Sequence, residues 1–384
     1  MLNVGIIGLG NTGNQIASLA FEKLHIPVIA VNSSSKDLET IPNSIPKKLI
    51  SDANGQSQGA GKNRQLAKKY LKDSIMGFLS AEDIQSFICD LDILFIISST
   101  GGGTGSGTSL VMTSIISSMF PDVHVISVGI LPVMSEALSA HVNTLEYLNE
   151  LYGTLENQTY MLYDNDKYSD LPSHKMMEFV NNEVVKDIDV MRCTYNYTTK
   201  YDSIDEQDMT RLTSFSGRIL VARLEDIKER DLDTTSIEEL LLKKIKNCSH
   251  VEIQRDQKIA ATGLIVNLSD AVSSEFNNHL PKVRDFIGDP DHDFNHIAIN
   301  EDRKLPNNVF LIMSGLSVVN DKISKISDRI EEIEEKQKIR EEENALNSMG
   351  VSNLSEKISS KDRTKTHKDV QSLDLKNIFD KFGV

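Results

Sequence analysis

The sequence contains the glycine- and hydroxyl-rich stretch Ser98-Ser99-Thr100-Gly101-Gly102-Gly103-Thr104-Gly105-Ser106-Gly107-Thr108. It follows the apolar run Ile93–Ser98, which is the strongest buried-strand pattern in the sequence, and it precedes an apolar helical segment at Ser109–Met119. Five glycines in seven positions, with hydroxyl side chains between them, can present a nest of backbone N–H groups to an anion. The stretch lacks the lysine of a Gly-Lys-Ser/Thr phosphate loop. Because a strand and a helix bracket it, it predicts an anion-binding loop rather than a flexible linker.

A second glycine loop, Gly8-Leu9-Gly10-Asn11-Thr12-Gly13, lies between a strand pattern at Val4–Leu9 and a helix pattern. This is the geometry in which backbone N–H groups at a helix N-terminus hold phosphate. This motif is most often found in dinucleotide-binding domains. Such a domain needs an Asp or Glu at the end of the second strand to bind the ribose hydroxyls. Here the strand Pro27–Asn32 ends in Asn32 and is followed by three serines. The missing acid leaves an NAD(P)-dependent Rossmann oxidoreductase as a remote alternative.

Strand patterns alternate with helical segments through the first half of the chain, which predicts an α/β fold with a Rossmann-like parallel sheet. Further strands are expected at His124–Leu131 and Tyr160–Tyr163. Apolar residues recur every four positions from Ser173 to Met191 and predict one long central helix. A second, smaller α+β domain is expected beyond it, with strands at Arg218–Leu224, Ala260–Asn267 and Val309–Met313.

The chain is therefore expected to have five parts. They are a first domain (1–172), the central helix (173–195), a second domain (196–319), a C-terminal helix (320–349) and a flexible tail (350–384). The C-terminal helix is highly charged, with a short isoleucine stripe, and we expect it to dock along the second domain. The Ser/Lys-rich stretch 350–369 is typical of disorder, and the amphipathic stretch Leu373–Phe382 suits a docking peptide.

Composition narrows the class of protein. Hydrophobic residues make up 39% and charged residues 25% of the 384 positions, an ordinary balance for a globular protein. There is neither a basic leader nor an apolar run of the roughly 18 residues that cross a bilayer, so we expect a cytoplasmic chain without membrane insertion. Three widely separated cysteines predict incidental thiols, and no metal-ligating cluster is expected. The net charge of −15 opposes direct nucleic-acid binding by the globular body.

The heptapeptide at 101–107 resembles the signature of the tubulin/FtsZ family of GTP-binding, filament-forming proteins. Gly8–Asn14 looks like the first nucleotide loop of that family, Asn32-Ser33 like the end of its second strand, and Gly59–Asn63 like its Gly-Ala-Gly phosphate loop. The resemblance implies a GTPase domain that binds GTP or GDP with Mg²⁺. The residues it implies around the phosphates are Gly8, Gly10, Asn11, Thr12, Asn14, Asn32, Gly59, Ala60, Gly61, Lys62, Gly101, Gly102, Gly103, Thr104, Gly105, Ser106 and Gly107.

The same resemblance implies a set of residues for the nucleoside. Pro132 and Glu136 match the segment whose glutamate reaches the ribose, and Asn165 matches the residue that reads guanine. On the central helix, Phe179 would stack on the base, and Asn182 or its neighbour would face the purine edge. Guanine presents N1–H and N2–H₂ donors that an acceptor oxygen can pair with, whereas adenine does not.

Asp205 and Asp208 match the family's Asp-x-x-Asp catalytic pair, although Ser203 stands where the family usually has Asn. Carboxylates at i and i+3 share one face of a helical turn. In this family the acids of one subunit position water against the nucleotide of the next, so the resemblance implies hydrolysis coupled to head-to-tail assembly. Taken without the resemblance, an acidic turn is more often a solvated surface.

Val31–Asp37 and Met313–Ser317 are most similar to the TubZ-like branch, whose members segregate plasmid or phage DNA. That branch implies a filament of identical subunits and a DNA-binding adaptor bound through the tail. The basic tail residues that would suit such an adaptor are Lys357, Lys361, Arg363, Lys365 and Lys368. An FtsZ-like division-ring protein and a non-hydrolysing structural relative stay as alternatives.

Overall fold

The computed structural model describes residues 1–154, 158–193, 199, 203–255, 257–273, 276–300, 306–318, 320–348 and 379–383. These residues form a single ten-stranded sheet in the order β3-β2-β1-β4-β5-β6-β7-β10-β8-β9. The strands are β1 (Val4–Leu9), β2 (Val28–Asn32), β3 (Lys47–Leu49), β4 (Ile93–Ser99), β5 (His124–Leu131), β6 (Thr159–Asp164), β7 (Gly217–Leu224), β8 (Ala261–Ser269), β9 (His292–Asn300) and β10 (Asn308–Leu316).

Helices cover the sheet. They are α1 (Gly10–Leu24), α2 (Ser35–Glu39), α3 (Arg64–Ser80), α4 (Glu82–Cys89), α5 (Thr104–Met119), α6 (Leu138–Thr154), α7 (Ser173–Met191), α8 (Glu206–Ser214), α9 (Ile237–Asn247), α10 (Asp270–Ser273), α11 (Pro281–Ile287) and α12 (Asn320–Ser348). Two short 3-10 helices lie at Asn165–Tyr168 and Glu229–Leu232. The predicted α/β class is confirmed, and α7 coincides with the helical pattern predicted from Ser173 to Met191.

The first half of the chain has apolar cores on both faces of its sheet. Strands β1 to β6 pair in parallel, and β1 is buried along its whole length. Side chains of a strand point alternately to opposite faces. Accordingly Val4 and Ile6 join the core under α1 and α7, whereas Ile7 and Leu9 join the core under α3, α5 and α6. This double burial explains why the strands read as continuous apolar runs.

The second half continues the same sheet. β7 pairs in parallel with β6, and β10 then pairs antiparallel with both β7 and β8. A third apolar core packs α9 and α11 against these strands. The sequence pattern missed β3 and β9, which are the two edge strands. The limits of the predicted domains stay a prediction, because the sheet runs through the boundary between them.

The structure corrects two expectations about helices. Helices α1 and α5 begin at Gly10 and Thr104, so much of each glycine-rich motif is a first helical turn rather than a loop. Helix α12 packs against α6 of the first domain, not along the second domain; Ile326 is buried there, and Arg329 Nε donates to Met134 O at 3.0 Å.

Most of the predicted tail, including its five basic residues, lies outside the described residues. Within the described residues, no helix is long and apolar enough to cross a membrane.

Candidate nucleotide-binding site

A cleft of about 350 Å³ opens at the carboxyl ends of β1, β2 and β4. Crevices at this edge of an open parallel sheet are where ligands bind in doubly wound folds. The predicted residues that line the cleft are Gly10, Asn11, Thr12, Asn32, Gly59, Ala60, Gly61, Lys62, Gly102, Gly103, Thr104 and Gly105. The residues that line it without having been predicted are Leu9, Ser33, Ser34, Asp37, Gln58 and Ser99.

Three helices direct their N-termini toward this cleft. α1 begins at Gly10 and α5 at Thr104, both of which line the cleft, and α3 begins two residues after the lining residue Lys62. The N–H groups of a first helical turn have no intrahelical acceptor, and the helix dipole adds positive charge. Gly10 has φ +72°, a left-handed conformation that glycine adopts without strain. The arrangement is suited to an anion with several oxygens, such as a di- or triphosphate.

The two phosphate-loop candidates pack directly on each other. A Cβ added at Gly103 would lie 2.7 Å from the Cα of Lys62, so only glycine permits this approach. At Gly102, by contrast, the nearest atom to an added Cβ is Ser99 Oγ, at 3.7 Å. Gly102 therefore leaves open space at the cleft, whereas Gly103 is needed for the packing of the protein itself.

The buried side chain of Asn143, on α6, holds these loops together. Its amide nitrogen donates to the carbonyl oxygens of Lys62 at 2.9 Å, Gly101 at 3.2 Å and Gly102 at 3.1 Å. Sequence reasoning missed this residue, since an isolated Asn within a helix carries no motif. Its burial next to three inward-facing carbonyls is visible only in the fold.

The end of β2 contributes polar groups from the other side of the cleft. Asn32 Oδ1 accepts from the backbone N–H of Ser33 at 2.8 Å, and its amide donates to Asp37 at 3.2 Å. The hydroxyls of Ser33 and Thr104 lie 2.6 Å apart and join β2 to the second glycine motif. Asp37 is the one carboxylate among the residues that line the cleft. Its signal in the sequence is its place three residues after Ser34, whose Oγ accepts from the Asp37 N–H as the cap of α2.

Five predicted phosphate residues lie behind the cleft rather than on its lining: Gly8, Asn14, Gly101, Ser106 and Gly107. Asn14 is buried, with its side chain hydrogen-bonded to both the N–H and the carbonyl of Val31. A Cβ added at Gly107 would lie 2.6 Å from Arg64 O, so this glycine lets α5 pack against the start of α3. Ser106 Oγ donates to the carbonyl of Gly102. These residues support the loops that line the cleft.

The residues predicted for the nucleoside lie around the ends of β5 and β6. Pro132 directly follows β5 and is buried, and Glu136 closes a turn by donating its N–H to Val133 O at 3.0 Å. Asn165 begins the 3-10 helix after β6, and its buried Oδ1 has no hydrogen-bond partner among the described residues. β1 and β6 are three strand spacings apart, about 14 Å, so the two groups of residues share one edge of the sheet.

The two predicted residues of α7 differ in whether their side chains are available to a ligand. The ring of Phe179 is 40% exposed and lies 4.6 Å from the ring of Tyr168, measured between centroids. Asn182 accepts a hydrogen bond from Lys23 Nζ and donates one to Glu178 O at 2.7 Å. Phe179 thus presents an open aromatic face, whereas the side chain of Asn182 is already paired.

A buried polar network fixes α7 to the sheet. Asp187 accepts from Arg223 Nε at 2.6 Å and from the hydroxyl of Tyr163 at 2.7 Å, and it lies 2.9 Å from His250 Nε2. Burial opposes ionisation of Asp187, yet the Arg223 guanidinium and the hydrogen bonds hold its pKa below the ordinary value. Burial also lowers the pKa of His250. The network ties the helix that carries Phe179 to β6 and β7, so its position is set by both halves of the sheet.

The predicted catalytic pair lies at the start of α8 and not on the cleft. Asp205 is the N-cap of that helix, and Asp205 and Asp208 accept each other's backbone N–H groups. Asp205 is exposed and Asp208 is partly exposed. Within one subunit, therefore, the residues predicted for binding and those predicted for hydrolysis lie on different parts of the surface.

Comparisons with known proteins agree with this architecture. Residues 3–172 match the family model described as Tubulin/FtsZ family, GTPase domain. The tubulin-like protein CetZ of Pyrococcus horikoshii is 27% identical over 189 residues, which are 48% of this chain and 50% of that protein. The tubulin-like protein TubZ of Clostridium botulinum C phage is 28% identical over 140 residues, 36% of this chain and 37% of that one. The chain thus spans half or less of the length of these relatives.

The fold is also that of a solved tubulin-like protein. The structure of a GTPγS-form protofilament of Bacillus thuringiensis serovar israelensis TubZ superposes with a TM-score of 0.70 at 17% identity. The superposition covers 88% of this chain and 94% of that one. The likeness therefore extends over both halves of the sheet.

Proposed function

We propose that this chain is a GTPase that forms head-to-tail filaments and hydrolyses GTP between subunits, because residues 3–172 match the GTPase-domain model of the tubulin/FtsZ family. The observation that carries the proposal is the convergence of three helix N-termini on one cleft lined by both glycine motifs. GTP and GDP are the nucleotides we assign to it.

Guanine recognition is assigned to the segment after β6. The buried Oδ1 of Asn165 lacks a donor among the described residues, and a buried unpaired acceptor is costly. Guanine N1–H or N2–H₂ supplies that donor, whereas the matching edge of adenine offers N1 as an acceptor. The exposed ring of Phe179 supplies a surface for stacking, and Glu136 is assigned to the ribose.

The residues at the phosphate end fit a magnesium ion. Mg²⁺ takes one or two carboxylates together with waters and substrate phosphates, so it needs few protein ligands. Asp37 supplies a carboxylate to the lining of the cleft, and Ser33 and Thr104, whose hydroxyls lie 2.6 Å apart, line it as well. When bound, the ion would neutralise phosphate charge; the helix N-termini of this chain hold and orient the phosphates.

The position of Asp205 and Asp208 supports a shared active site. They do not line the cleft of their own subunit, and they stand on an exposed helix start. A head-to-tail contact brings this surface of one subunit to the nucleotide of the next. The two carboxylates then orient the attacking water, so that turnover follows assembly.

The cellular role that we propose is the segregation or positioning of plasmid or phage DNA, with a DNA-binding adaptor bound through the tail. Its support is the similarity of Val31–Asp37 and Met313–Ser317 to the TubZ-like branch. Deleting the gene tests the role. We expect host cells to lose the DNA element that encodes the chain while dividing at normal length. Undivided, elongated cells with stable inheritance would contradict segregation and indicate a division-ring protein.

A further inference from the structure

The segment Phe379–Gly383 is seated on the first domain. It forms one helical turn in which the N–H of Phe382 donates to Phe379 O at 3.0 Å. The two phenylalanines share one face of the turn, and each is only 4% exposed. Asp380 and Lys381, which lie between them, are exposed. The turn thus buries its apolar face and leaves its charged face in water.

The groove that receives this segment is formed with α3. Phe379 and Phe382 belong to the same apolar core as Leu71 of α3 and Leu151 of α6. The ammonium group of Lys72 lies 5.6 Å from the centre of the Phe379 ring, and that of Lys68 lies 5.8 Å from the centre of the Phe382 ring. Cations at such distances from an aromatic face are attracted by it. The groove therefore recognises two aromatic rings three residues apart.

Lys68 adds a polar contact at the bottom of the groove. Its side chain is only 1% exposed, and its ammonium donates to Glu150 Oε1 at 2.6 Å and to Phe382 O at 2.8 Å. A buried charge is tolerated when its hydrogen-bonding capacity is used. Among the described residues, the carbonyl of Phe382 is one of two acceptors of this ammonium, so docking of the segment completes the environment of a buried charge.

The same carboxylate connects the groove to the nucleotide cleft. Glu150 also accepts from Arg64 at 2.6 Å, and this buried arginine donates to the carbonyl of Ser106 at 3.0 Å. Arg64 is the first residue of α3, and Ser106 lies in the first turn of α5. A continuous chain of charge-assisted hydrogen bonds therefore joins the C-terminal segment to the first turn of α5, in which Thr104 and Gly105 line the cleft.

We propose that the groove on α3 is a binding site for the chain's own C-terminal Phe-Asp-Lys-Phe segment, and that its occupancy changes the affinity for nucleotide. Coupling between two sites is reciprocal, so bound nucleotide also changes how firmly the segment docks. A partner that takes hold of this segment then acts on the nucleotide cleft. This second part rests on the proposed function.

A peptide titration tests the groove in the full-length chain. The probe is a fluorescein-labelled peptide of residues 373–384, and the protein is the Phe379→Ala/Phe382→Ala double variant, which empties its own groove. We expect the double variant to bind the peptide. The wild type should bind it at least about tenfold more weakly, because its own tethered segment competes for the groove. The Asp380→Ala/Lys381→Ala chain is the matched control and should behave as the wild type. Equal binding by wild type and double variant, or binding by neither, would overturn the proposal.

Two further measurements separate the parts of the proposal. In the wild-type chain, hydrogen exchange at the Phe382 amide should be slower than in the free peptide; equal rates would overturn docking without any substitution. The affinity of the double variant for GDP should change by about fivefold or more when the peptide is added. Unchanged GDP affinity would overturn the coupling alone. Absent GDP binding in the wild type would overturn the proposed function and the coupling with it, while the peptide titration still decides the groove.

Discussion

Asp205 and Asp208 cap the same helix through each other's backbone. The N–H of Asp208 donates to Asp205 Oδ1 at 2.8 Å, and the N–H of Asp205 donates to Asp208 Oδ2 at 3.3 Å. One oxygen of each carboxylate is used in this way, which fixes both side chains at the exposed start of α8. The pair that we assign to hydrolysis is therefore also a structural cap, and a test has to separate the two roles.

Asparagine substitution separates capping from catalysis. Asn is as good an N-cap as Asp, so Asp205→Asn should change the free energy of unfolding by less than about 0.5 kcal/mol. Loss of the charge that orients water should lower GTP turnover by about 100-fold or more while filaments still form. Phosphate release and sedimentation of the purified variant measure the two effects.

The capping box of α9 supplies the matched control. There Ser236 and Glu239 accept each other's backbone N–H groups in the same way. Glu239→Gln should leave GTP turnover unchanged. If Asp205→Asn turns over GTP at the wild-type rate, the catalytic assignment is wrong and the pair is only a cap.

A methyl group at Gly102 tests the cleft itself. The protein leaves room for it, since the nearest atom would be 3.7 Å away, and so Gly102→Ala should fold normally. The methyl would occupy space at the cleft and cost about 1–3 kcal/mol of binding, roughly a 5- to 150-fold loss of GTP affinity. Calorimetric titration with GTP measures it.

Gly77, which is exposed on α3 with no atom near an added Cβ, is the control for that substitution. Gly77→Ala should raise the free energy of unfolding by up to about 1 kcal/mol, because alanine is the better helix former. It should leave GTP affinity unchanged. Equal GTP affinity in Gly102→Ala and the wild type would show that the phosphates bind elsewhere.

Asn143 should matter for nucleotide binding although it does not line the cleft. Asn143→Ala leaves the carbonyls of Lys62, Gly101 and Gly102 without their shared donor, so it should lower the free energy of unfolding by about 1–3 kcal/mol and weaken GTP binding. Thermal unfolding with and without GTP measures both. Asn247→Ala, which removes a single exposed hydrogen bond to Lys243 O, is the control. A stable variant with wild-type GTP affinity would contradict the role of Asn143 in holding these loops together.

Substitutions of Asn165 and Asn182 are expected to have different effects on base selection. Asn165→Ala should weaken GTP binding by roughly 5- to 100-fold and leave any residual ATP binding unchanged, because only guanine donates to its Oδ1. Asn182→Ala should have little effect on base selection, since that side chain is already paired with Lys23 and Glu178. Competition of GTP and ATP against a fluorescent nucleotide decides it, and the reverse pattern would move base recognition to α7.

The sequence predicted the elements whose signal is local. Strands β1, β4 and β5 are apolar on both faces, so their composition alone marks them, and the apolar stripe of α7 marks that helix. The edge strand β3 was missed because Lys47–Leu49 is short and partly exposed. Helices α1 and α5 begin inside glycine motifs because the fold stabilises a first turn that the propensity of glycine disfavours.

The parts of the site that were missed depend on contacts between distant segments. Asn143 becomes a clamp only because α6 lies beside the carbonyls of two separate loops. The docking of α12 on α6 was mispredicted for the same reason: Lys322 forms ion pairs with Asp164 at 2.8 Å and with Asp166 at 3.8 Å, across the fold. A stripe of isoleucines predicts that a helix is buried on one side, but it does not name the partner.

A concentration series tests whether one active site is completed by two subunits. Sedimentation and phosphate release are followed together, with GTP and Mg²⁺, from dilute to concentrated protein. We expect phosphate release to begin at the concentration at which filaments first sediment, and we expect neither release nor filaments with GDP or ATP. Steady GTP turnover at concentrations too low for assembly would contradict it, because the site would then be complete within one subunit.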